Sequence, residues 1–302
     1  MTQPMLHIVY RSYGGENTKG RPAYYSKLLA LRSLLRARAQ VSSPVEILYL
    51  NDGPIPADRL SVMERSGEVI ARANLGNKGS LRTAYALPAE RGWAHDDLVW
   101  FAEDDYLYRP DSLSGLIAGA EVWPEADYFC MYASFGSRGS GPALSEGSPM
   151  HTETWVPPSW HDSEARLAQA QPWRRALFAT STFGGRVRAL IEDERLLNIA
   201  MVAGRAFDST TCLLYQGYLP FPWRLIREPL RESFTAKSFV LAGARLAVDA
   251  YHLWRKGPKR LLVAPEPASI THLEAAYLAL GTDWTAVARD CDRWAAESSL
   301  DA

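Results

Sequence analysis

Leu98-Val99-Trp100-Phe101-Ala102-Glu103-Asp104-Asp105-Tyr106 is an apolar run that ends on three consecutive carboxylates. Five apolar residues bounded by acids, with Val, Trp and Phe among them, suit a strand buried on both faces better than an amphipathic helix. The acids then sit at the C-terminal end of that strand. In an open α/β sheet this end faces the ligand crevice. Two unit charges about 5 Å apart at an effective dielectric near 20 repel by roughly 3 kcal/mol, so three adjacent carboxylates in a cleft favour a cation among them. Hard oxygen ligands suit Mg²⁺ or Mn²⁺, often shared with a substrate phosphate. The competing reading of the tripeptide is a solvated acidic turn.

Upstream of this run, Leu6–Tyr13 reads as a first strand ending at Gly14-Gly15, and 22–38 carries leucines at helical spacing (Leu28, Leu31, Leu34, Leu35). Val45–Leu50 reads as a second strand that runs into Asn51-Asp52-Gly53-Pro54. The order strand, helix, strand implies a right-handed crossover and parallel pairing, which brings Asp52 to the same end of the sheet as the acidic triplet. Asn-Asp-Gly is also strong turn chemistry, which would account for Asp52 without a ligand. A short strand at 69–72 is followed by Asn74-Leu75-Gly76-Asn77-Lys78-Gly79-Ser80-Leu81-Arg82, leading into a helix. Glycines beside Lys78 and Arg82 at a helix start suit phosphate, and a plain loop with an N-cap at Ser80 is the simpler account. The P-loop pattern is absent.

These pieces resemble the nucleotide-sugar half of GT-A glycosyltransferases over about residues 5–115. Phe101-Ala102-Glu103-Asp104-Asp105-Tyr106, followed by Pro110-Asp111, looks like their DXD region, in the Glu-Asp-Asp form of N-acetylglucosaminyltransferase I-like enzymes; family-2 members are similar too. The resemblance implies a mixed α/β sheet with flanking helices, the nucleotide-sugar half followed by an acceptor half. It implies Asp105 as the metal ligand, Glu103 and Asp104 as ribose and supporting partners, Asp52 as the contact to the nucleobase, and Ser12, Lys78 and Arg82 as further donor-binding residues. It also implies a late histidine that completes the metal site, for which His272 in Thr271-His272-Leu273-Glu274 is the match. An acceptor-side carboxylate acts as general base in such enzymes. Asp208, preceding Ser209-Thr210-Thr211, is the first candidate, and it suits a helix cap equally well. Asp193, in Glu192-Asp193-Glu194, is the alternative, and its charged neighbours suggest a solvated helix face.

The rest of the chain sets bounds. It has 302 residues, 47% hydrophobic and 22% charged, with a net charge of −1, so bulk charge offers nucleic acid no general attraction. Cys130, Cys212 and Cys291 lie far apart with no CxxC, which argues against a zinc site or a disulfide framework and fits a reducing cytoplasm. Organisation is expected as a nucleotide-sugar half at 1–130, an irregular active-site or acceptor loop at 131–165 with His151, Trp155, Trp160 and His161, and an acceptor half at 166–302 with C-terminal helices. The helix over 238–254, with Phe239, Leu241, Leu246, Val248 and Leu253, reads as a core helix with a basic, solvated end at 255–260. Such a cluster is also of the kind that touches anionic lipid, although composition does not indicate membrane contact.

The expected function is metal-dependent transfer of a sugar from a UDP- or GDP-sugar to a glycan, lipid-linked or small-molecule acceptor, with inversion as the resemblance implies. The rivals are a non-catalytic nucleotide-sugar or carbohydrate-binding protein and a sugar nucleotidyltransferase, whose Gly-rich, Arg-containing N-terminal signature is missing.

Overall fold

The apolar run at 98–102 is buried on both sides because helices cover both faces of the sheet it belongs to. The computed structural model describes residues 4–134, 156–202, 207–255 and 257–298. The first half of the chain alternates β1 (Leu6–Tyr13), α1 (Lys27–Ala39), β2 (Val45–Asp52), α2 (Ala57–Ser66), β3 (Glu68–Arg72), α3 (Gly76–Glu90) and β4 (Leu98–Glu103). After β5 (Tyr106–Tyr108) come α4 (Ser112–Val122), β6 (Tyr128–Phe129) and β7 (Ala133–Ser134). The second half runs through β8 (Arg166–Ala168), β9 (Gln171–Arg175), β10 (Phe178–Ala179) and β11 (Phe183–Arg186). It ends with α5 (Val187–Ala200), α6 (Phe207–Tyr215), α7 (Trp223–Glu232), α8 (Ala236–Trp254), β12 (Leu262–Pro265), β13 (Ile270–His272) and α9 (Trp284–Glu297).

Nine of these strands form one sheet in the order β3-β2-β1-β4-β11-β6-β12-β9-β8. β1 pairs parallel with both β2 and β4, whereas β11 inserts antiparallel between β4 and β6. The mixed α/β architecture expected from the sequence is the one observed, and segments 1–130 and 166–302 share the sheet. Leu98, Trp100 and Ala102 point into one core with α1, α4 and α9, while Val99 and Phe101 point into a second with α3 and α5. The connection from β1 leads to β2 on one side, and β3 is followed by β4 on the other. The switch point between β1 and β4 therefore opens where Ser12, Tyr13 and the acidic triplet emerge.

Several boundaries differ from the sequence reading. α1 begins at Lys27, because the Ser26 hydroxyl accepts from the Leu29 amide at 3.0 Å and caps it there. α3 begins at Gly76 and has no cap of its own. Asp52 at the end of β2 accepts from the Leu75 and Gly76 amides, both at 2.7 Å, and supplies the anion that the helix start needs. Ser80 is thus an interior residue of α3. α8 is not a core helix: of its five quoted apolar residues only Val248 is buried, with Leu253 at 71% exposure. In the irregular segment, His151 and Trp155 lie outside the described residues. Trp160 is buried, with the Arg175 guanidinium over its ring and Tyr218 at its edge.

The solvated face expected around Asp193 is also corrected. Val187, Leu190, Asp193, Leu197 and Ala200 share the buried side of α5, and the Asp193 side chain is 0% exposed. It accepts from Arg260 Nε at 2.8 Å, from Tyr128 Oη at 3.1 Å and from Arg255. Removing one partner of a buried ion pair leaves uncompensated charge, so Asp193→Ala should cost about 3–5 kcal/mol, measurable by urea unfolding.

Candidate functional site

The cavity at the switch point encloses about 890 Å³ and is lined by Arg11, Ser12, Tyr13, Asp52, Asn77, Glu103, Asp104, Asp105 and His272, among others. The turn at 104–105 joins β4 to β5, so the three acids splay into three environments. Asp104 faces inward: its Oδ2 accepts from Lys27 Nζ at 3.0 Å, from the Tyr13 amide at 2.9 Å and from Ser12 Oγ at 3.2 Å, with Arg59 Nη1 at 3.7 Å. Lys27 also donates to the Tyr13 carbonyl, fixing the end of β1. Burial raises the Asp104 carboxyl even against Lys27.

Asp105 is completed from the far end of the chain. β13 pairs antiparallel with β5 in the register His272 opposite Tyr106, which sets His272 Nε2 3.0 Å from Asp105 Oδ2. Arg21 Nη2 lies 3.2 Å from the same oxygen and Lys19 Nζ 3.9 Å. Burial works against the charged form, but the hydrogen bond with His272 and the neighbouring cations outweigh it and hold Asp105 well below the usual carboxylate range. Glu274 Oε2 stands 3.6 Å from His272 Nδ1 and 3.2 Å from Lys19 Nζ.

Glu103 ends β4 opposite Arg11 of β1, and Arg11 Nη1 donates to it at 3.2 Å. Arg11 also reaches Ser80 Oγ and the Asn77 carbonyl, tying the first turn of α3 to the sheet. Burial pushes the Glu103 carboxyl up to about 7, with Arg11 opposing and Asp105 and Asp208 adding to the rise. The hydroxyls of 180–182 link this acid to the next: Thr182 Oγ1 donates to Glu103 at 3.4 Å, and Ser181 Oγ donates to Asp208 at 2.9 Å. Asp208, in the first turn of α6, lines a second, small pocket with Thr180 and Ser181. Burial lifts its carboxyl to about 6, against Ser181 and Arg11.

Sequence-selected Ser12, Asp52, Glu103, Asp104, Asp105 and His272 thus meet on one cavity, and Asp208 lines a separate small pocket joined to Glu103 through Ser181 and Thr182. Lys78 does not join them: its ammonium donates to the Met201 carbonyl at 2.7 Å and ties α3 to the end of α5. Arg82 is exposed on α3 and is absent from the cavity wall. Asp193 sits in its own ion cluster. Sequence reading missed Arg11, Lys19, Arg21, Lys27 and the hydroxyls of 180–182. Arg11 alone carried a signal, a charge inside an apolar strand; the others depend on how the loops fold back.

Among the described residues no group of three His, Cys, Asp or Glu converges as a closed metal site. The 3.0 Å between Asp105 Oδ2 and His272 Nε2 is nonetheless about the separation of adjacent ligands around an octahedral ion at ~2.1 Å. A hard cation shared with phosphates takes one or two carboxylates, and Arg21 and Lys19 stand 3.2 and 3.9 Å from the same Asp105 oxygen, so the pair fits an ion only where substrate phosphates complete it and draw those two cations away.

No protein-family model matches the chain, and no curated protein does. Likenesses of low identity exist among solved structures. S. aureus TarS 1–349 aligns over 73% of this chain and 56% of its own at 14% identity, with a TM-score of 0.39. 4-Diphosphocytidyl-2C-methyl-D-erythritol synthase aligns over 70% and 85% at 11% identity, also with 0.39. CMP:2-keto-3-deoxy-manno-octonic acid synthetase, complexed with CTP, aligns over 65% and 78% at 16% identity and 0.39. This chain spans little more than half of the TarS structure.

The raised Asp208 carboxyl has a stability consequence. Its native pKa, about 6, exceeds its ordinary value of 3.8, so the stability present below about pH 4 is lost as pH rises through 6. Asp208→Asn should therefore stabilise the protein at pH 7 by up to about 3 kcal/mol relative to its effect at pH 4, read from unfolding curves at both pH values.

Proposed function

We propose that this chain is a GT-A-type glycosyltransferase that moves a sugar from a UDP- or GDP-sugar to an acceptor hydroxyl with inversion. The observation that carries the reading is the meeting of Asp105 and His272, 167 positions apart, on the wall of the cavity where three acids leave β4. In this reading Asp105 and His272 would hold Mn²⁺ or Mg²⁺, which supplies Lewis acidity for the leaving diphosphate.

Asp208 serves as the base. A carboxyl lifted to about 6 is ionised at neutral pH yet basic enough to accept a proton from the acceptor hydroxyl as that oxygen attacks the anomeric carbon. The bond to the diphosphate oxygen breaks as the new C–O bond forms, and Lys19 on the cavity wall offsets the charge left on the diphosphate. Ser181 orients the carboxylate through its donated hydrogen bond. Arg11 holds Glu103 toward the ribose. Asp104, fixed by Lys27, braces the same wall, and Asp52, whose two oxygens accept from the Leu75 and Gly76 amides, fixes the start of α3 on the side of the cavity where the base would lie.

Two measurements test the proposal. Titration calorimetry with UDP and GDP should show Mn²⁺-dependent binding that Asp105→Ala abolishes while the fold survives; unchanged affinity in that variant removes the metal assignment. Asp208→Asn should leave donor affinity near wild type and lower kcat by a factor on the order of 10² to 10⁴. A binding protein would show no turnover to lose, and a nucleotidyltransferase would release pyrophosphate from a nucleoside triphosphate and a sugar phosphate.

A further inference from the structure

α8 turns an apolar stripe outward. Phe239, Leu246 and Leu253 repeat every seventh residue on its exposed side, with Val240 and Trp254 beside them at 72% and 79% exposure. Gly243, Ala247 and Ala250, which fall between on the same side, are small and also exposed. Phe234, 81% exposed in the link before α8, packs edge-on to Phe239 and extends the stripe toward α7. The opposite side of α8, with Ala242, Arg245, Val248 and Asp249, is buried. At 1.5 Å per residue the 19-residue helix offers a strip about 28 Å long. Single exposed apolar residues are ordinary, but contiguous patches on this scale mark an interaction surface.

The surrounding charge says what covers it. Arg224, Arg227 and Arg231 are exposed on α7 next to Trp223, itself 63% exposed, and Lys237 opens α8. Of the nearby carboxylates, Glu228 pairs with Arg245 at 2.9 Å and Asp249 is buried, which leaves exposed Glu232 against the four cations. Exposed Trp and Phe with a guanidinium fringe match the acyl–headgroup boundary of an anionic membrane. A second copy of the chain would bring a like-charged fringe against this one. α8 contains Lys237, Arg245 and Asp249, and no helix among the described residues is long and apolar enough to cross a membrane, so only contact along a surface is at issue.

We infer that the outer face of α7 and α8 docks the protein onto an anionic lipid bilayer. The inference does not depend on the transferase reading.

Vesicle flotation of the full chain tests it. The protein should float with vesicles containing phosphatidylglycerol, far less with phosphatidylcholine alone, and progressively less as salt rises. Arg224→Gln and Arg231→Gln should each weaken binding about fivefold. Val240→Glu with Leu253→Glu should abolish it while the melting temperature and nucleotide affinity stay at wild-type values, since both positions are exposed. No flotation at low salt, equal flotation on both vesicles, or a dimer in sedimentation velocity that the double Glu variant dissociates in the absence of lipid binding would overturn the proposal. The last result would assign the face to a second copy.

Discussion

A strand covered on both faces has only its ends to offer the solvent, and β4 is that strand. Leu98, Trp100 and Ala102 are committed to one core and Val99 and Phe101 to the other, so the chain changes from wholly apolar to wholly acidic within a single step at Glu103. The geometry of the sheet then decides what the acids meet. β1 is the neighbour in register, and its Arg11, Ser12 and Tyr13 stand beside Glu103 and Asp104. Everything else around the cavity is arranged to tolerate that concentration of charge.

Three adjacent carboxylates are made unlike one another by their partners. Asp104 is anchored inward on Lys27 and the Tyr13 amide, Glu103 is half-buried beside a single guanidinium, and Asp105 is gathered among His272, Arg21 and Lys19. Burial prevails at Glu103, whereas at Asp105 burial is outweighed by the hydrogen bond with His272 together with Lys19 and Arg21, and the two carboxyls are driven in opposite directions. Divergent acidities within a few residues are the arrangement from which distinct chemical roles are built.

The legible part of this molecule was local. The β4 run, the alternation of strands and helices before it, and the position of Asp52 at the same sheet end followed from periodicity and the handedness of crossovers. Resemblance singled out His272, and the β13–β5 register sets it at Asp105. The illegible part was tertiary. Lys78 carries the composition of a phosphate ligand and instead reaches the Met201 carbonyl, because the start of α3 is held by Asp52 from another element. Asp193 sits among Glu192 and Glu194 and yet faces inward, a fact available from its spacing with Leu190 and Leu197 but masked by the charge of its neighbours. The exposed stripe of α8 has the same heptad-like spacing as a core helix, and sequence periodicity does not say whether anything lies on the other side.

The β13–β5 pairing has a consequence for the order in which the molecule is made. The sheet from β1 to β4 is assembled from the first third of the chain, but the residue opposite Asp105 arrives 167 positions later. A chain emerging from the ribosome therefore has its acids in place well before their imidazole partner, and the cavity wall formed by His272 is added only after β13 has been made. Any ligand that needs both Asp105 and His272 therefore has no site until β13 has paired with β5.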